Sequence, residues 1–285
     1  MNITNECVKC IIYQIEKATK VLNLDEELSK SIMKEVKKRA ENFSFEDTPP
    51  FVAKDVYQYL AKRTNLDDPL EKIKQKSIQK AISYVPFIEE KIKNSEDKLF
   101  TAIKAAVAGN VIDFSTKEEF SLDDEINSIF ETEFAINDYE VFKKELEETN
   151  SLIILSDNAG ENVFDKILIK TIKNIYPKLT IYYATREKPI INDITTKEAL
   201  QIGIDKYCNV ISTGVDTPGL EKKQASRDFL ELFDKTPLVL SKGMGNFECL
   251  ENYHDKKIFF LFKVKCEVVA NTISRNLGEI VLKRG

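Results

Sequence analysis

The first third of the chain carries apolar residues at the spacing typical of helices. One helical face unites Cys7, Cys10, Ile11 and Ile15. The same three-to-four-residue spacing recurs at Leu28, Ile32 and Val36. No strand pattern interrupts this region before about residue 94, so the sequence predicts an all-helical domain over residues 1–95.

Helix boundaries in this region are marked by capping residues and prolines. Asp47 and Thr48 precede Pro49 and Pro50, which predicts the start of a helix over residues 51–63. A further helix is predicted over residues 97–108, with Gly109 as its C-terminal stop.

The pattern changes after about residue 150, where apolar runs alternate with helical segments. The runs are SLIIL, LTIYYA, CNVIS, PLVLS and KIFFLFK. Apolar runs without internal alternation, separated by helices, indicate strands buried on both faces of a mostly parallel sheet. The sequence therefore predicts a three-layer α/β domain over residues 96–285, preceded by the all-helical region. No internal repeat is present.

Composition agrees with a soluble globular protein. Of the 285 residues, 42% are hydrophobic and 31% are charged. No apolar run approaches the roughly 18 residues that a membrane span requires. Residues 1–20 carry charges throughout and have no apolar signal core, so we expect a cytoplasmic protein without a membrane partner.

Charge argues against a nucleic-acid partner. The formal net charge is −5, with 17 basic and 15 acidic residues up to residue 95 and 25 against 32 beyond it. A nucleic-acid surface needs clustered Lys and Arg, and neither part is strongly basic. The many lysines are typical of solvated helix faces, and the sequence sets no oligomeric state.

Chemically useful side chains stand where the predicted strands end. In parallel sheets, ligands bind at the carboxyl ends of the strands, close to helix N-termini. Successive predicted strands are followed there by Asp157 and Asn158, by Arg186 and Asp193, by Gly214 and Asp216, and by Lys242, Gly243, Gly245 and Asn246.

These residue types suit a divalent metal and a phosphate. Asp157, Asn158 and Asp193 supply oxygen ligands, which Mg²⁺ or Mn²⁺ prefers and a structural zinc does not. Lys242 beside the glycines of GMGN resembles a cation among backbone amides that hold phosphate oxygens. A metal and a lysine around a phosphoryl group would favour its transfer to water.

Simpler structural roles compete with each of these interpretations. Asp157 and Asn158 followed by a glycine can form a helix cap or a turn. Asp193 can act as the N-cap of the helix that follows it. The KGMGN segment matches neither the P-loop nor the dinucleotide fingerprint. The functional interpretation depends on several strand ends showing such residues together.

An ordered set of short motifs resembles a known family. The segments CVKCIIYQ, AGNVID, SDNAGE, PIINDIT and KGMGNFE occur in this order along nearly the whole chain. They resemble the motifs of the domain-of-unknown-function 89 family, the metal-dependent damage-control phosphatases, in its branch with an N-terminal Cys-x-x-Cys.

This resemblance implies a fold, an activity and a set of site residues. The fold would be a helical region packed on an α/β sheet with one divalent metal, Mn²⁺, Co²⁺, Ni²⁺ or Mg²⁺, at its carboxyl end. The reaction would be hydrolysis of a sugar phosphate or a related damaged metabolite. Family motifs match the metal ligands to Asp157, Asn158 and Asp193, the lysine beside the phosphate to Lys242, and a pocket border to Gly109, Asn110 and Asp113.

From these assignments we hypothesise a small-molecule phosphate ester as the substrate. Lys242, Asn110 and the amides of Gly243 and Gly245 would neutralise its oxygens, with Asn246 also at the substrate. Glu161 or Arg186 would orient the residues around the metal. Aspartyl-phosphate phosphatases need a second Asp two residues after the first, and Ala159 stands there, which favours direct attack by water.

Five cysteines in a chain expected to be cytoplasmic argue against a disulfide framework. Cys7 and Cys10 have metal-ligand spacing, and Cys266 is the best candidate to join them, as also occurs in the family branch. Such a cluster could bind a second metal or sense redox state. The alternative is that these are small buried residues on a helix face, as Cys208 and Cys249 are expected to be.

Two other functions stay open from the sequence. The chain could bind a nucleotide or sugar phosphate without turnover, or transfer a methyl group to a carboxylate. The lack of a glycine-rich cofactor loop after SLIIL argues against methyl transfer. A histidine-based nucleophile machinery is disfavoured because the only histidine, His254, stands in a charged stretch predicted to be exposed.

Overall fold

The computed structural model describes residues 1–109 and 126–285. Its first part is helical, as predicted. The helices are α1 (Asn5–Val21), α2 (Glu26–Ala40), α3 (Pro49–Thr64), α4 (Glu71–Ser83), α5 (Val85–Asn94) and α6 (Lys98–Ala108).

Local capping explains where these helices begin. The side chains of Thr4, Asp25, Thr48 and Asp97 each accept a hydrogen bond from the main-chain N–H three residues on. Such bonds satisfy N–H groups that have no partner within the helix. Helix α3 begins at Pro49 because the proline's fixed φ suits the first turn.

A seven-stranded sheet forms the second part, and it confirms the predicted mostly parallel α/β architecture. In chain order the strands are β1 (Ile136–Asn137), β2 (Ser151–Leu155), β3 (Thr180–Thr185), β4 (Asn209–Ser212), β5 (Leu238–Lys242), β6 (Ile258–Lys263) and β7 (Ile280–Arg284). Their spatial order is β1-β7-β6-β5-β2-β3-β4. The β6–β7 pair is antiparallel and the other neighbouring pairs are parallel.

Helices cover both faces of this sheet. The helices of this part are α7 (Tyr139–Glu148), α8 (Glu161–Ile175), α9 (Thr196–Gln201), α10 (Arg227–Lys235), α11 (Met244–Leu250) and α12 (Glu267–Ile273). Along β2, Leu152 and Ile154 pack into one hydrophobic core while Ile153 and Leu155 pack into the other. Because both faces are buried, the sequence of β2 is apolar at every position from Leu152 to Leu155.

Three cores organise the molecule. Residues of α4, α5 and α6 share the core on one face of the sheet, and α1, α2 and α3 form a core of their own that includes Ile190. Helices α4 and α5 therefore pack with the sheet although they precede residue 96. The predicted domain boundary itself stays a prediction.

Helix α6 ends at Ala108 with Gly109 as its C-cap, as the sequence predicts. The φ of Gly109 is −55°, in the ordinary helical region, so left-handed backbone does not explain the glycine. A Cβ at this position would lie 2.8 Å from Cα of Glu161. Gly109 instead allows α6 to approach α8 closely.

None of the helices in the described parts of the chain combines the length and the apolar character needed to cross a bilayer.

Candidate metal and phosphate site

The loops that follow β2 and β3 meet above the carboxyl edge of the sheet. Asn158 and Asp193 form an isolated antiparallel bridge between the loops. The N–H of Ile194 donates to the carbonyl of Asp157 at 3.0 Å, and the N–H of Ala159 donates to the carbonyl of Asn192 at 2.8 Å. The three predicted metal ligands are therefore brought together by main-chain hydrogen bonds.

None of these three ligand candidates caps a helix. The N-cap of α8 is Gly160, with φ at +98°, and the N-cap of α9 is Thr195. Thr195 forms a capping box with Glu198. The capping alternatives for Asp157, Asn158 and Asp193 are therefore excluded, whereas Asp157 and Asn158 do precede a turn at Ala159 and Gly160.

The carboxylate of Asp157 is buried against a glycine. A Cβ on Gly243 would lie 2.0 Å from Oδ2 of Asp157, and the φ of Gly243 is +79°. Both the space and the backbone conformation demand glycine there. Nδ2 of Asn158 donates to the same Oδ2 at 2.8 Å and to Oε1 of Glu161 at 3.1 Å.

Arg186 is the buried cation of the β3 loop. Its side chain is 1% exposed, and its Nε donates to Oδ2 of Asp193 at 2.8 Å. Within the described parts of the chain, Nη1 and Nη2 have no hydrogen-bond partner. Buried donors are normally satisfied, so two unsatisfied guanidinium nitrogens indicate a place for an acceptor such as a phosphate oxygen.

Lys242 is enclosed by carboxylates. Its Nζ donates to Oδ1 of Asp165 at 2.6 Å and to Oε2 of Glu161 at 3.3 Å. The hydroxyl of Tyr183 donates to the other oxygen of Asp165 at 2.8 Å. The prediction that Lys242 contacts a phosphate stays a prediction, but its ammonium already has two anionic partners.

The net charge of this buried group fits a divalent cation. Among the described residues it contains four carboxylates, Asp157, Glu161, Asp165 and Asp193, which face two cations, Lys242 and Arg186. When all four carboxyl groups are ionised, two formal negative charges are left over. Because uncompensated charge is costly in a buried site, the donor set and the charge both fit an ion such as Mg²⁺ or Mn²⁺ held by oxygen.

The carboxyl groups titrate at unusually high pH. Burial raises the pKa of Asp157 to about 7, and the charge of Asp193 adds to this. Burial likewise raises the pKa of Asp193 to about 6, against the charge of Arg186, and that of Glu161 to about 8, against the charge of Lys242. Protons therefore compete with a cation for this site near neutral pH.

Comparison with known proteins now decides the family. A family model described as Damage-control phosphatase ARMT1-like domain matches residues 3–281. The chain belongs to this family. The resemblance to the family is thereby confirmed, and its branch with an N-terminal Cys-x-x-Cys stays a prediction.

Relatives of this family match the chain along its length. A damage-control phosphatase of Pyrococcus horikoshii is 32% identical over 286 residues, covering 100% of this chain and 98% of the relative. An uncharacterized protein of Methanocaldococcus jannaschii is 33% identical over 298 residues, covering 100% and 96%. The crystal structure of a DUF89 family protein from Pyrococcus horikoshii is 31% identical, covers 100% of this chain and 99% of its own, and has a TM-score of 0.92.

Several residues predicted at the substrate of this family member have structural partners instead. The N–H of Gly243 donates to the carbonyl of Leu261 at 3.1 Å, so this amide is already used. A Cβ on Gly245 would lie 1.9 Å from the carbonyl oxygen of Pro218. The glycines thus serve close packing, which corrects the idea that the amide of Gly243 is open to phosphate.

Asn246 ties three loops together. Its Nδ2 donates to the carbonyls of Ser156 at 2.9 Å and Lys242 at 2.6 Å, and its Oδ1 accepts from the N–H of Leu220 at 2.8 Å. These bonds fully occupy a buried amide, so the described contacts give Asn246 a supporting role. Asn110 and Asp113, the other predicted pocket residues, lie outside the described residues.

Two charged side chains near the site were missed by the sequence analysis. Lys265 is exposed, and its N–H donates to Sδ of Met244 at 3.2 Å, next to Gly243. Its charge lowers the pKa of Asp157, although burial dominates there. Burial raises the pKa of Glu248 to about 7, and Asp157 adds to it. Because β6 lies beside β5, the strand-end rule applied to β6 would have found Lys265.

The predicted cysteine cluster shows neighbouring thiols without a metal geometry. Cys7 is buried, Cys10 exposed and Cys266 half-buried, and all are free thiols. The pKa of Cys10 and that of Cys266 are raised, chiefly by burial and further by Cys7. Across the described residues, no group of three or more His, Cys, Asp or Glu is arranged to hold a metal, and this holds for the buried carboxylates as well as for the thiols. The candidate metal ligands differ in being two carboxylates and one amide. The second-metal idea lacks support here, and the redox role stays a prediction.

The remaining cysteines and the histidine agree with the sequence. Cys249 is buried in the core on one face of the sheet, and Cys208 is half-buried against the core on the other face. His254 is exposed, at the end of a short 3₁₀ turn.

Proposed function

We propose that this protein is a metal-dependent phosphatase that hydrolyses a small phosphorylated metabolite, such as a sugar phosphate or a related damaged metabolite. The family supports phosphatase activity, since the Pyrococcus horikoshii relative named a damage-control phosphatase aligns over the whole chain. The metal dependence and the substrate class are inferred from the site.

The observation that carries this proposal is the guanidinium of Arg186. It is buried, it is fixed on Asp193 through Nε, and within the described residues its Nη1 and Nη2 have no partner. A phosphate offers paired oxygens that match two parallel N–H donors. The open donors lie beside the carboxylates that suit a metal, so the phosphate and the metal would share one site.

The metal would be held by the oxygens of Asp157, Asn158 and Asp193. The fit is supported by the hard oxygen donors and by the two unbalanced negative charges of the buried group. When bound, the cation supplies Lewis-acid polarisation of the phosphate and of an attacking water. The oxygen ligands discriminate poorly among Mg²⁺, Mn²⁺, Co²⁺ and Ni²⁺.

The protein's own groups divide the remaining work. Arg186 binds the phosphate oxygens and neutralises their charge. Glu161 accepts a hydrogen bond from the amide of Asn158 and so holds it in place. Lys242 in turn donates to Glu161 and to Asp165. Lys242 therefore acts in this proposal as the buried support of the ligand shell, which differs from the direct phosphate contact expected from the motif.

Phosphate release tests this function directly. The substrates are p-nitrophenyl phosphate and a panel of sugar phosphates, each with EDTA or with Mn²⁺, Co²⁺, Ni²⁺ or Mg²⁺. We expect metal-dependent release that falls at least about a hundredfold in Arg186→Gln, since one lost transition-state donor costs this much. The matched control is Arg227→Gln, which removes an arginine that is exposed on α10.

Other outcomes separate the alternatives. Tight binding of a sugar phosphate without release under any metal would favour a non-catalytic binder. Calorimetric binding of a methyl donor would favour carboxylate methylation. Full activity of Asp157→Ala with metal present would contradict the proposed site, and full activity of the wild type in EDTA would contradict the metal dependence.

A further inference from the structure

A lysine from the helical region lies fully buried behind the candidate site. Lys74 of α4 is 0% exposed. Its Nζ donates to Oε1 of Glu198 at 2.8 Å and pairs also with Asp68. A buried ammonium is costly unless it is paired, so this lysine is placed for the sake of its carboxylate partners.

Glu198 supports the loop that carries Arg186 and Asp193. Its Oε2 accepts from the N–H of Thr195 at 2.8 Å and from the hydroxyl of Thr195 at 2.7 Å. Thr195 pairs in turn with the main chain of Arg186. Glu198 therefore fixes the backbone that carries both Arg186, the proposed phosphate-binding residue, and Asp193, a proposed metal ligand.

The same residue also supports the other ligand loop. The carbonyl of Glu198 accepts from Nδ2 of Asn162 at 3.3 Å, and Oδ1 of Asn162 accepts from the N–H of Gly160 at 2.9 Å. Gly160 follows Asp157 and Asn158 by only a few residues. A Cβ on Gly160 would lie 3.2 Å from the carbonyl oxygen of Ser77, so α4 also packs on this loop.

We propose that Lys74 and Glu198 are positioning residues that set the separation between the β2 loop and the β3 loop. Through them α4 controls the geometry of the metal and phosphate site without touching the substrate. This inference rests on the proposed function, because the site that it positions is the one assigned there. Its physical basis is a single residue, Glu198. Its side-chain carboxylate bonds to the β3 loop, and its main-chain carbonyl bonds through Asn162 to the β2 loop.

A second lysine provides a matched control. Lys197 of α9 pairs with Glu71 of α4, and the two side chains are 64% and 48% exposed. This pair joins the same two helices as Lys74 and Glu198, but its side chains lie at the surface. Only the main-chain N–H of Lys197, which Lys197→Met keeps, donates to Thr195. Exposed pairs contribute little, so its loss should leave the site unchanged.

The test compares Lys74→Met, Glu198→Gln and Lys197→Met with the wild-type protein. Mn²⁺ binding is followed by electron paramagnetic resonance, and folding is followed by circular dichroism and melting temperature. We expect the Mn²⁺ dissociation constant to rise at least about tenfold in Lys74→Met, the usual loss for a removed outer support. Glu198→Gln keeps an acceptor for Thr195 and should lose less affinity, while Lys197→Met should bind like the wild type.

A purely structural role would lower the melting temperature without changing Mn²⁺ affinity in the folded protein. Folded Lys74→Met that binds Mn²⁺ like the wild type would therefore overturn the inference. Should Lys74→Met fail to fold, Glu198→Gln decides by the same criterion, and unchanged affinity would again overturn it.

Hydrogen exchange separates failure of this inference from failure of the proposed function. If the wild type binds no Mn²⁺, the proposed function fails, but the coupling can still be measured in metal-free protein. We expect the amide of Thr195, which donates to the carboxylate of Glu198, to exchange faster in Glu198→Gln than in Lys197→Met. Equal exchange of this amide in the two variants would contradict the coupling.

Discussion

At the scale of single residues, the carboxylate of Asp157 is fixed by its immediate contacts. Gly243 packs against it with no room for a side chain, and Asn158 donates to it at 2.8 Å. The main-chain carbonyl of Asp157 is bonded to Ile194 in the other loop. Its position is therefore determined by backbone and by one amide, which leaves the carboxylate free to bind a cation.

The space beside Asp157 gives the first prediction. Gly243→Ala would place a Cβ 2.0 Å from Oδ2 of Asp157 and would displace the carboxylate. We expect metal-dependent phosphatase activity to fall about a hundredfold, since displacement by about 1 Å costs this much. Gly278→Ala is the control: its φ of +87° imposes similar backbone strain, yet no described atom lies within 4 Å. Equal activity of the two variants would count against the tight fit.

The raised pKa values of Asp157 and Asp193 give the second prediction. The folded protein keeps protons that the unfolded chain, with carboxyl pKa values near about 4, has already lost. This stability is complete below about pH 4 and is lost as pH rises through about 6 and 7. The melting temperature of the protein in EDTA should therefore fall between about pH 5 and 8.

Two comparisons check this pH dependence by calorimetry. Asp157→Asn removes one titrating group and should flatten the decline, whereas Mn²⁺ should reverse it because ionised ligands bind the cation. Parallel curves for the wild type and Asp157→Asn would show that the site does not titrate as described.

Single positions also explain what the sequence could and could not predict. The meeting of Asp157, Asn158 and Asp193 was predictable, because residues that follow parallel strands come together at one edge of the sheet. The support of Lys242 by Asp165 was not, since it depends on how α8 lies across β5. The capping ambiguity at Asp193 was settled only by coordinates, which place the cap two residues later at Thr195.

At the scale of elements, α8 contacts both the sheet and the helical region. Its first turns carry Glu161 and Asp165 toward Lys242 of β5, and α6 crosses it at Gly109. Close approach of two helices at a glycine fixes their relative position. The placement of Glu161 beneath Asn158 thus depends on the contact between α6 and α8.

That contact gives the third prediction. Because the φ of Gly109 is −55°, alanine would fit the backbone there without strain. If backbone conformation alone decided, Gly109→Ala would stabilise the protein. The added Cβ, however, would lie 2.8 Å from Cα of Glu161, so we expect destabilisation by about 1–3 kcal/mol. Urea denaturation measures whether the free energy of unfolding falls or rises in Gly109→Ala. Lys98→Ala, at an exposed position of α6, is the control, and a gain in stability for Gly109→Ala would contradict the packing.

How well a strand could be predicted from the sequence depended on how far it is buried in the sheet. The five strands predicted from apolar runs are present. The central strand β2 is apolar because both faces of the sheet are covered there, whereas β4, at the edge of the sheet, is only partly buried. Strands β1 and β7 were missed for physical reasons. The first has two residues, and the second ends in Lys283 and Arg284 at the antiparallel side of the sheet, where its burial declines.

At the scale of the whole molecule, two of the hydrophobic cores of the described residues meet at the loops that follow β2 and β3. Ile190 of the β3 loop belongs to the core of α1, α2 and α3, while Ala159 of the β2 loop belongs to the core shared with α4 and α6. Ile191 adopts φ of +48°, a conformation unfavourable for a β-branched residue, three residues before Ile194. Global packing thus holds a strained loop in place.

A cation that joins the two loops should therefore stabilise the entire protein, which is the fourth prediction. Mn²⁺ at a hundred times its dissociation constant contributes about 2.7 kcal/mol, enough to raise the melting temperature by several degrees. The rise should vanish in Asp193→Ala. It should persist in Cys266→Ser, because the thiols form no metal-holding group in the described residues. Loss of the rise in the cysteine variant alone would relocate the metal.

The most direct measurement is anomalous X-ray scattering from crystals grown with Mn²⁺ and inorganic phosphate. The account predicts a manganese peak bonded to oxygens of Asp157, Asn158 and Asp193, with a phosphate that accepts hydrogen bonds from Nη1 and Nη2 of Arg186. Absence of manganese from this site, or a phosphate bound away from Arg186, would contradict it.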